Sequence, residues 1–364
     1  MELYSLGALV EPLCLWYEEN KRSMPWREEA TPYHVWISEI MLQQTRIEAA
    51  KGYYERFIKR LPSIESLADI SEEELLKLWE GLGYYNRARN LHKTARIVVE
   101  KYDGNLPADY DLLLELPGIG NYTAGAIVSI AYQIPAPAVD GNVLRVLMRV
   151  LNCRDDISKQ SVRRKMERSI MAVIPKEIPG VFNQALMELG EVICIPSGAP
   201  HCEECPLALH CMGMKDGTCM ELPVKPEKKE RKKEKKTILL FEQGGRMAIV
   251  KRPSQGLLAD MWEFPSLSEH CTMTQVHRFL DEQGIPVQSV ERLKDAKHIF
   301  SHIEWHMRGY HIMLSESESL PLWETDDKNQ HLVWKEIVWA EKKELSERYA
   351  IPVAYHSFLR QLTL

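Results

Sequence analysis

Two carboxylates and four thiols carry the chemistry this sequence can do. Glu39 interrupts the apolar run Val35-Trp36-Ile37-Ser38-Glu39-Ile40-Met41-Leu42. A carboxyl there sits either on a solvated helix face shared with Ser38 and Gln43, or in a pocket. In a pocket, burial raises its pKa and keeps a proton available near neutrality, as a general acid requires. Asp140 follows the Pro-broken loop Ile134-Pro135-Ala136-Pro137 and precedes the helical run Val143 to Leu151. Its carboxylate therefore falls at or near a helix N-cap.

The four thiols are spaced Cys194-x7-Cys202-x2-Cys205-x5-Cys211, while Cys14, Cys153, Cys219 and Cys271 are scattered. One tight cluster points to a metal site in a reducing compartment rather than a disulfide framework. Spacing alone leaves structural zinc and an iron–sulfur cluster open. His201 reads as a bystander, because four cysteines already complete such a site.

Helices must position these groups. Leu3, Leu6, Val10, Leu13, Trp16 and Tyr17 recur at helical spacing, and Ser23 to Arg27 breaks that helix. Thr31-Pro32 reads as the N-cap and first residue of the helix carrying Glu39. Further helices start at Ser63 and Ser71. Leu116-Pro117-Gly118-Ile119-Gly120-Asn121-Tyr122-Thr123-Ala124-Gly125 is a hairpin between helices. Gly118 and Gly120 permit the tight turn, and the N–H groups entering the next helix make a seat for a phosphate. Gly81 to Arg89 offers tyrosines beside arginines, either a surface for nucleic acid or a helix start with core tyrosines. Phe182 to Gly190 is a helix leading to the cysteines, and its Gln184 is either solvated or able to read a base edge.

The totals set limits on these readings. With 364 residues, 45% apolar and 27% charged, the chain is of soluble globular type with two or three domains. No apolar run reaches spanning length, and the early Glu2 and Glu11 predict no secretory signal. A net charge of −6 argues against binding nucleic acid by bulk charge, but not against gripping a few phosphates. Residues 223–236 hold eight Lys or Arg and three Glu with two prolines, the composition of a solvated linker. Strand signals begin after it: 237–241 and 247–251 flank Gly244-Gly245 as a hairpin, and 297–306 alternates as one half-buried strand. A helix is expected around 274–282.

Trp36 to Thr45, Gly81 to Arg89, the hairpin, Ala138 to Val143 and the cysteine cluster occur in the order seen in adenine DNA glycosylases of the MutY family. The chain resembles a full-length member of that helix-hairpin-helix superfamily. The likeness implies an all-helical glycosylase region, 1–222, made of a six-helix domain (29–135) and an iron–sulfur domain (1–28 with 136–222). A basic linker, 223–236, and a Nudix-like α+β domain, 237–364, follow. The implied activity is hydrolytic removal of adenine mispaired with 8-oxoguanine or guanine in duplex DNA, by a monofunctional and monomeric base-excision enzyme in bacterial cytoplasm at the nucleoid. It implies Glu39 as the acid that protonates adenine, and Asp140 as the anion stabilising an oxocarbenium-like sugar, with Asn142 and Tyr122 beside it. An N-capping aspartate stays ionised, so the two environments are expected to push the two pKa values apart.

The resemblance further places Trp26, Arg27, Leu42 and Gln184 at the adenine pocket, and Gln44 and Tyr84 as wedges into the duplex. It assigns a [4Fe–4S] cluster to Cys194, Cys202, Cys205 and Cys211, although the first gap has seven residues where the family usually has six. Related bifunctional lyases carry a lysine where this chain has Tyr122, so little lyase activity is expected. Gly256 to Pro265 is similar to a stretch of Nudix domains, but residues 266–284 lack the paired glutamates of a Nudix hydrolase. Phe300, Ser301 and His302 match the loop that recognises 8-oxoguanine. The competing readings are another helix-hairpin-helix glycosylase, either a lyase or a thymine-mismatch enzyme, and a DNA-binding iron–sulfur module without catalysis.

Overall fold

A short 3-10 turn, Gly7–Leu9, leads into α1 (Val10–Asn20), which buries Leu13, Cys14 and Tyr17. The helical run expected from Leu3 therefore starts later. The computed structural model describes residues 3–226, 230–315 and 337–362. It divides into two units: residues 1–70 with 86–227, and 71–85 with 228–364. Part of the basic stretch (227–229), and 316–336 and 363–364 of the C-terminal region, lie outside the described residues. No described helix is long and apolar enough to cross a membrane.

The first unit is helical. α2 (Pro32–Leu42) begins at a Thr31 cap, whose hydroxyl accepts from His34 N at 3.2 Å. The hairpin leads into α3 (Asn121–Ala126). Gly118 takes φ +80°, and a Cβ there would stand 2.6 Å from Asn90 Cβ, so only glycine fits this turn. α4 (Gly141–Val150) is buried nearly all round, and α5 (Pro179–Val192) packs against both α1 and α4. Leu13, Val143, Leu147, Phe182, Leu186 and Leu189 share the resulting core. This packing of α1 against α5, in a core shared with α4, joins the N-terminal residues to a segment more than a hundred positions away.

Among the described residues, the second unit is built on an eight-stranded sheet. Its strands are β1 (Lys232–Gln243), β2 (Arg246–Lys251), β3 (Trp262–Glu263), β4 (Ser266–Ser268), β5 (Val287–Arg292), β6 (Ala296–Ile299), β7 (Ile303–Leu314) and β8 (Ile337–Glu341). The long pair β1 and β7 is parallel and central, and both faces are covered. Ile238, Leu240, Trp305 and Met307 face one core, with Tyr355 and Phe358. Leu239, Phe241, Tyr310 and Ile312 face the other, closed by Val276 and Leu280 of α6 (Met273–Glu282). Gly244 and Gly245 both take positive φ in the expected β1–β2 turn.

Two local expectations change. Lys232 to Lys236, read as linker by composition, are the first residues of β1, paired with β7 from Ile303 to Met307. Their charges are accommodated along the edge of the core: Glu234 accepts from Trp305 Nε1 at 3.0 Å, and the Lys236 ammonium lies 4.5 Å from the Trp305 ring centre. The single strand expected over 297–306 is instead β6, a turn at Phe300–His302, and β7. Lys297 pairs antiparallel with His306 and Ile299 with Glu304. Alternation continues through a hairpin, so periodicity did not reveal the turn.

Candidate active site and cysteine cavity

The first unit contains a cavity of about 900 Å³. Trp26, Arg27, Glu39, Leu42, Gln44, Tyr122, Asp140, Asn142 and Gln184 all line it. Glu39 comes from the buried middle of α2, and is 7% exposed. Tyr122, the second residue of α3, donates its hydroxyl to Glu39 Oε2. Asp140 caps α4, and its Oδ1 accepts from Val143 N at 2.8 Å. Asn142 donates to Glu191 Oε1 at 2.8 Å and accepts from Arg145 at 3.0 Å. Trp26, on the short helix Pro25–Glu28, meets Tyr54 edge-on at 5.3 Å. Gln184 Nε2 donates to Gly180 O at 3.2 Å, and Gln44 holds φ +61° at the end of α2.

Burial raises Glu39 to about 7; the Tyr122 hydrogen bond and Arg27 pull it down, and the Asp140 charge pushes it up. A carboxyl so placed holds its proton to near neutrality. Asp140 departs from the expectation of a plainly favoured anion. Burial moves it above the usual range, although the N–H groups of Val143 and Asn142 and the Arg145 charge act in the opposite sense. Both carboxyls are thus raised, because each lies in a poorly solvated wall. The capping bonds that oppose the rise at Asp140 have no counterpart at Glu39 beyond a single tyrosine.

Arginines and acids missed in the sequence reading complete the wall. Glu188, 1% exposed, accepts from Arg27 at 2.7 Å and from Arg22 Nε at 2.5 Å. Burial pushes this carboxyl up, and its two arginine partners outweigh that to hold it below the usual range. The signal was present: Glu188 lies four residues after Gln184 and therefore on the same face of α5. Arg22 and Arg163 also line the cavity.

Gly118 and Gly120 shape the hairpin and do not line the cavity. Tyr84 belongs to the second unit, takes φ +48° and is 51% exposed. Phe300, Ser301 and His302 form the β6–β7 turn of that unit. Phe300 packs edge-on against Trp305 at 4.8 Å, while Ser301 Oγ lies 3.3 Å from His302 Nδ1 on the exposed tip.

Cys194, Cys202, Cys205 and Cys211 line one small apolar space behind α4. Arg149 donates to Cys194 Sγ at 3.3 Å, and Met214 N donates to Cys211 Sγ at 3.4 Å. Among the described residues, no three His, Cys, Asp or Glu side chains are arranged to hold a metal ion as they stand. The donor chemistry of these four residues is nevertheless that of a soft, thiolate-ligated group: four sulfurs, with N–H bonds directed at two of them.

Base-excision DNA repair proteins of the HhH-GPD superfamily match residues 37–171, and a NUDIX domain matches 237–361. The chain is 33% identical over 324 residues to an adenine DNA glycosylase of Buchnera aphidicola subsp. Schizaphis graminum, with 87% of this chain and 92% of that protein covered. It is 34% identical over 363 residues to an adenine DNA glycosylase of Mus musculus, with 84% and 70% covered. Among solved structures it is similar to a thermostable thymine-DNA glycosylase at 27% identity and a TM-score of 0.52, over 57% of this chain and 96% of that one. A trapped endonuclease III–DNA covalent intermediate aligns at 28% identity and a TM-score of 0.50, over 57% and 94%.

Proposed function

The chain belongs to the adenine DNA glycosylases, base-excision-repair enzymes that hydrolyse N-glycosyl bonds, and from that premise we propose that its substrate is adenine opposite 8-oxoguanine or guanine in double-stranded DNA. The observation that carries the reading is that Glu39 and Asp140 border one cavity. An adenine leaves the stack and enters it, where Trp26, Leu42, Arg27 and Gln184 surround the base. Tyr122 occupies Glu39 Oε2 as acceptor, so the acid's own proton belongs on Oε1. That proton passes to the adenine ring, and the base leaves as the glycosidic bond breaks. The positive charge left on the sugar is met by Asp140, held at the N-terminus of α4 with Asn142 beside it. Water then adds to the sugar and gives up a proton to the carboxylate left on Glu39, which restores the acid. Tyr122 offers no amine for a Schiff base, so the strand stays intact.

Gln44 and Tyr84 enter the duplex, and the Gly118–Gly120 turn approaches its backbone. The β6–β7 turn with Phe300, Ser301 and His302 reads the oxidised partner base. α6 carries Asp281 and Glu282 but no glutamate pairs, which supports a Nudix-like domain that does not hydrolyse pyrophosphates. Cys194, Cys202, Cys205 and Cys211 hold a [4Fe–4S] cluster, which supplies a covalent cross-link for loop 194–211 and takes no part in base removal. We place the enzyme, as a monomer, at the nucleoid of a bacterial cytoplasm.

Single-turnover assays on duplexes with adenine opposite 8-oxoguanine or guanine test the reading. The expected result is free adenine and strands that break only after alkali. No adenine release overturns the substrate; breakage without alkali overturns the monofunctional assignment.

A further inference from the structure

Five cysteines, not four, line the space behind α4, and the fifth is Cys219. It is 8% exposed and lines the same small space as Cys202 and Cys211. The chain is built to hold it there. Thr218 N donates to Gly213 O at 2.8 Å, Thr218 Oγ1 to Asn152 Oδ1 at 2.8 Å, and Asn152 Nδ2 to Asp216 Oδ2 at 2.8 Å. Gly213 allows the close approach, since a Cβ there would stand 2.4 Å from Arg149 O and 3.4 Å from Cys219 Sγ. Arg149 ties the two ends of the segment together through Ile195 O at 2.9 Å and Leu222 O at 3.0 Å.

The four cluster ligands proposed above are not equally anchored. Cys194, Cys205 and Cys211 pack against the apolar core of the first unit, whereas Cys202 does not. Cys202 opens a 3-10 turn, Cys202–Glu204, that buries no residue. It also follows the lengthened first gap, whose residues 196–199 are exposed. Cys202 is therefore the corner most easily displaced, and Cys219 lines the same small space.

We propose that Cys219 is a reserve ligand of the iron–sulfur cluster, able to take the corner of Cys202. In the exchange the Cys219 sulfur gives up its proton and bonds to iron, while the Cys202 sulfur leaves iron and takes up a proton; no electrons are transferred. The proposal rests on the cluster assignment made above.

The test uses full-length protein and reads iron, acid-labile sulfide and visible absorption. Wild type is expected to hold iron and sulfide, and wild type without iron overturns the cluster assignment itself. C202A is expected to keep at least half of the wild-type iron, and C202A/C219A and C205A to keep almost none. Cys219→Val, which fills the space without a sulfur, is expected to load fully but to bleach several-fold faster under a ferrous chelator. The reserve-ligand proposal is overturned if iron-loaded wild type and C219V bleach at one rate, or if C202A/C219A holds as much iron as C202A. The bleaching comparison decides the matter if C202A fails to fold.

Discussion

The Tyr122 hydroxyl donates to Glu39 Oε2, joining residues 83 positions apart at the wall of one cavity. This bond favours the charged carboxylate, and burial opposes it more strongly, leaving Glu39 at about 7. The site thus combines an acid poised near neutrality with a hydroxyl that restrains how far its affinity for the proton rises.

The first prediction concerns pH. Base removal that needs protonated Glu39 slows as pH rises through about 7, approaching tenfold per unit. Glu39→Gln lowers the single-turnover rate by about 10²- to 10⁴-fold and abolishes that limb. Stability follows the same group. Its folded pKa lies above its unfolded value, so the folded state holds a proton the unfolded chain has lost between roughly pH 4.3 and 7. Stability contributed by this residue therefore falls as pH rises across that window and stays low above it. Relative to E39Q, wild type should lose about 3 kcal/mol between pH 4 and 8 in denaturant titrations; a constant difference contradicts the burial argument.

Removing only the tyrosine oxygen tests the restraint. Tyr122→Phe takes away the hydrogen bond that lowers the Glu39 pKa, so the alkaline limb of the rate profile should move upward by about one unit, the equivalent of one hydrogen bond to a charged group. A limb that stays in place, or moves to lower pH, shows that the bond does not govern the acid.

The same position should set the reaction class. Tyr122→Lys places an amine on α3 at the cavity wall, and a Schiff base with the sugar becomes possible. Borohydride should then trap protein on DNA, where wild type gives little trapping. Efficient trapping of wild type, or none of the variant, refutes the role assigned to this side chain.

How much of this was legible beforehand depended on where the physical cause lay. Asp140 was legible because an N-cap is set by its own neighbours, and Glu39 because a lone carboxylate in an apolar run is conspicuous. The direction at Asp140 was not, since it is set by burial in the folded unit, which outweighs the local cap. Glu188 carried an i,i+4 relation to Gln184, yet its two arginines come from Arg22 and Arg27, 166 and 161 positions away. Residues 71–85 gave no sign of joining the second unit; Lys77 Nζ donates there to the carbonyls of Leu345 and Tyr349 at 3.3 and 2.9 Å. The charged start of β1 reads as linker until its partner strand is known.

Glu188 should matter first for integrity. Glu188→Ala leaves Arg22 and Arg27 in a poorly solvated wall without their counter-charge, and breaking a buried pair in this way costs about 3–5 kcal/mol. The Arg22 Nη2 group is already buried without a hydrogen-bond partner, so little compensation is at hand. A midpoint in urea within error of wild type would show that the pair is dispensable. Glu188→Gln, which keeps the acceptor oxygen, should recover part of the loss.

The last prediction separates recognition from catalysis. Ser301 and His302 stand exposed on the β6–β7 turn, while Phe300 beneath them is fixed against Trp305. Replacing Ser301 and His302 together by alanine removes two polar tips without touching that packing. The turn keeps its backbone bond from Phe300 N to Ile303 O at 2.8 Å, so the fold should hold. The double variant should release adenine opposite guanine at close to the wild-type rate in single turnover, but lose about tenfold or more of its preference for 8-oxoguanine, the worth of one to two specific base contacts. Equal losses on both substrates would assign the turn to general duplex binding, and unchanged preference would remove it from recognition altogether.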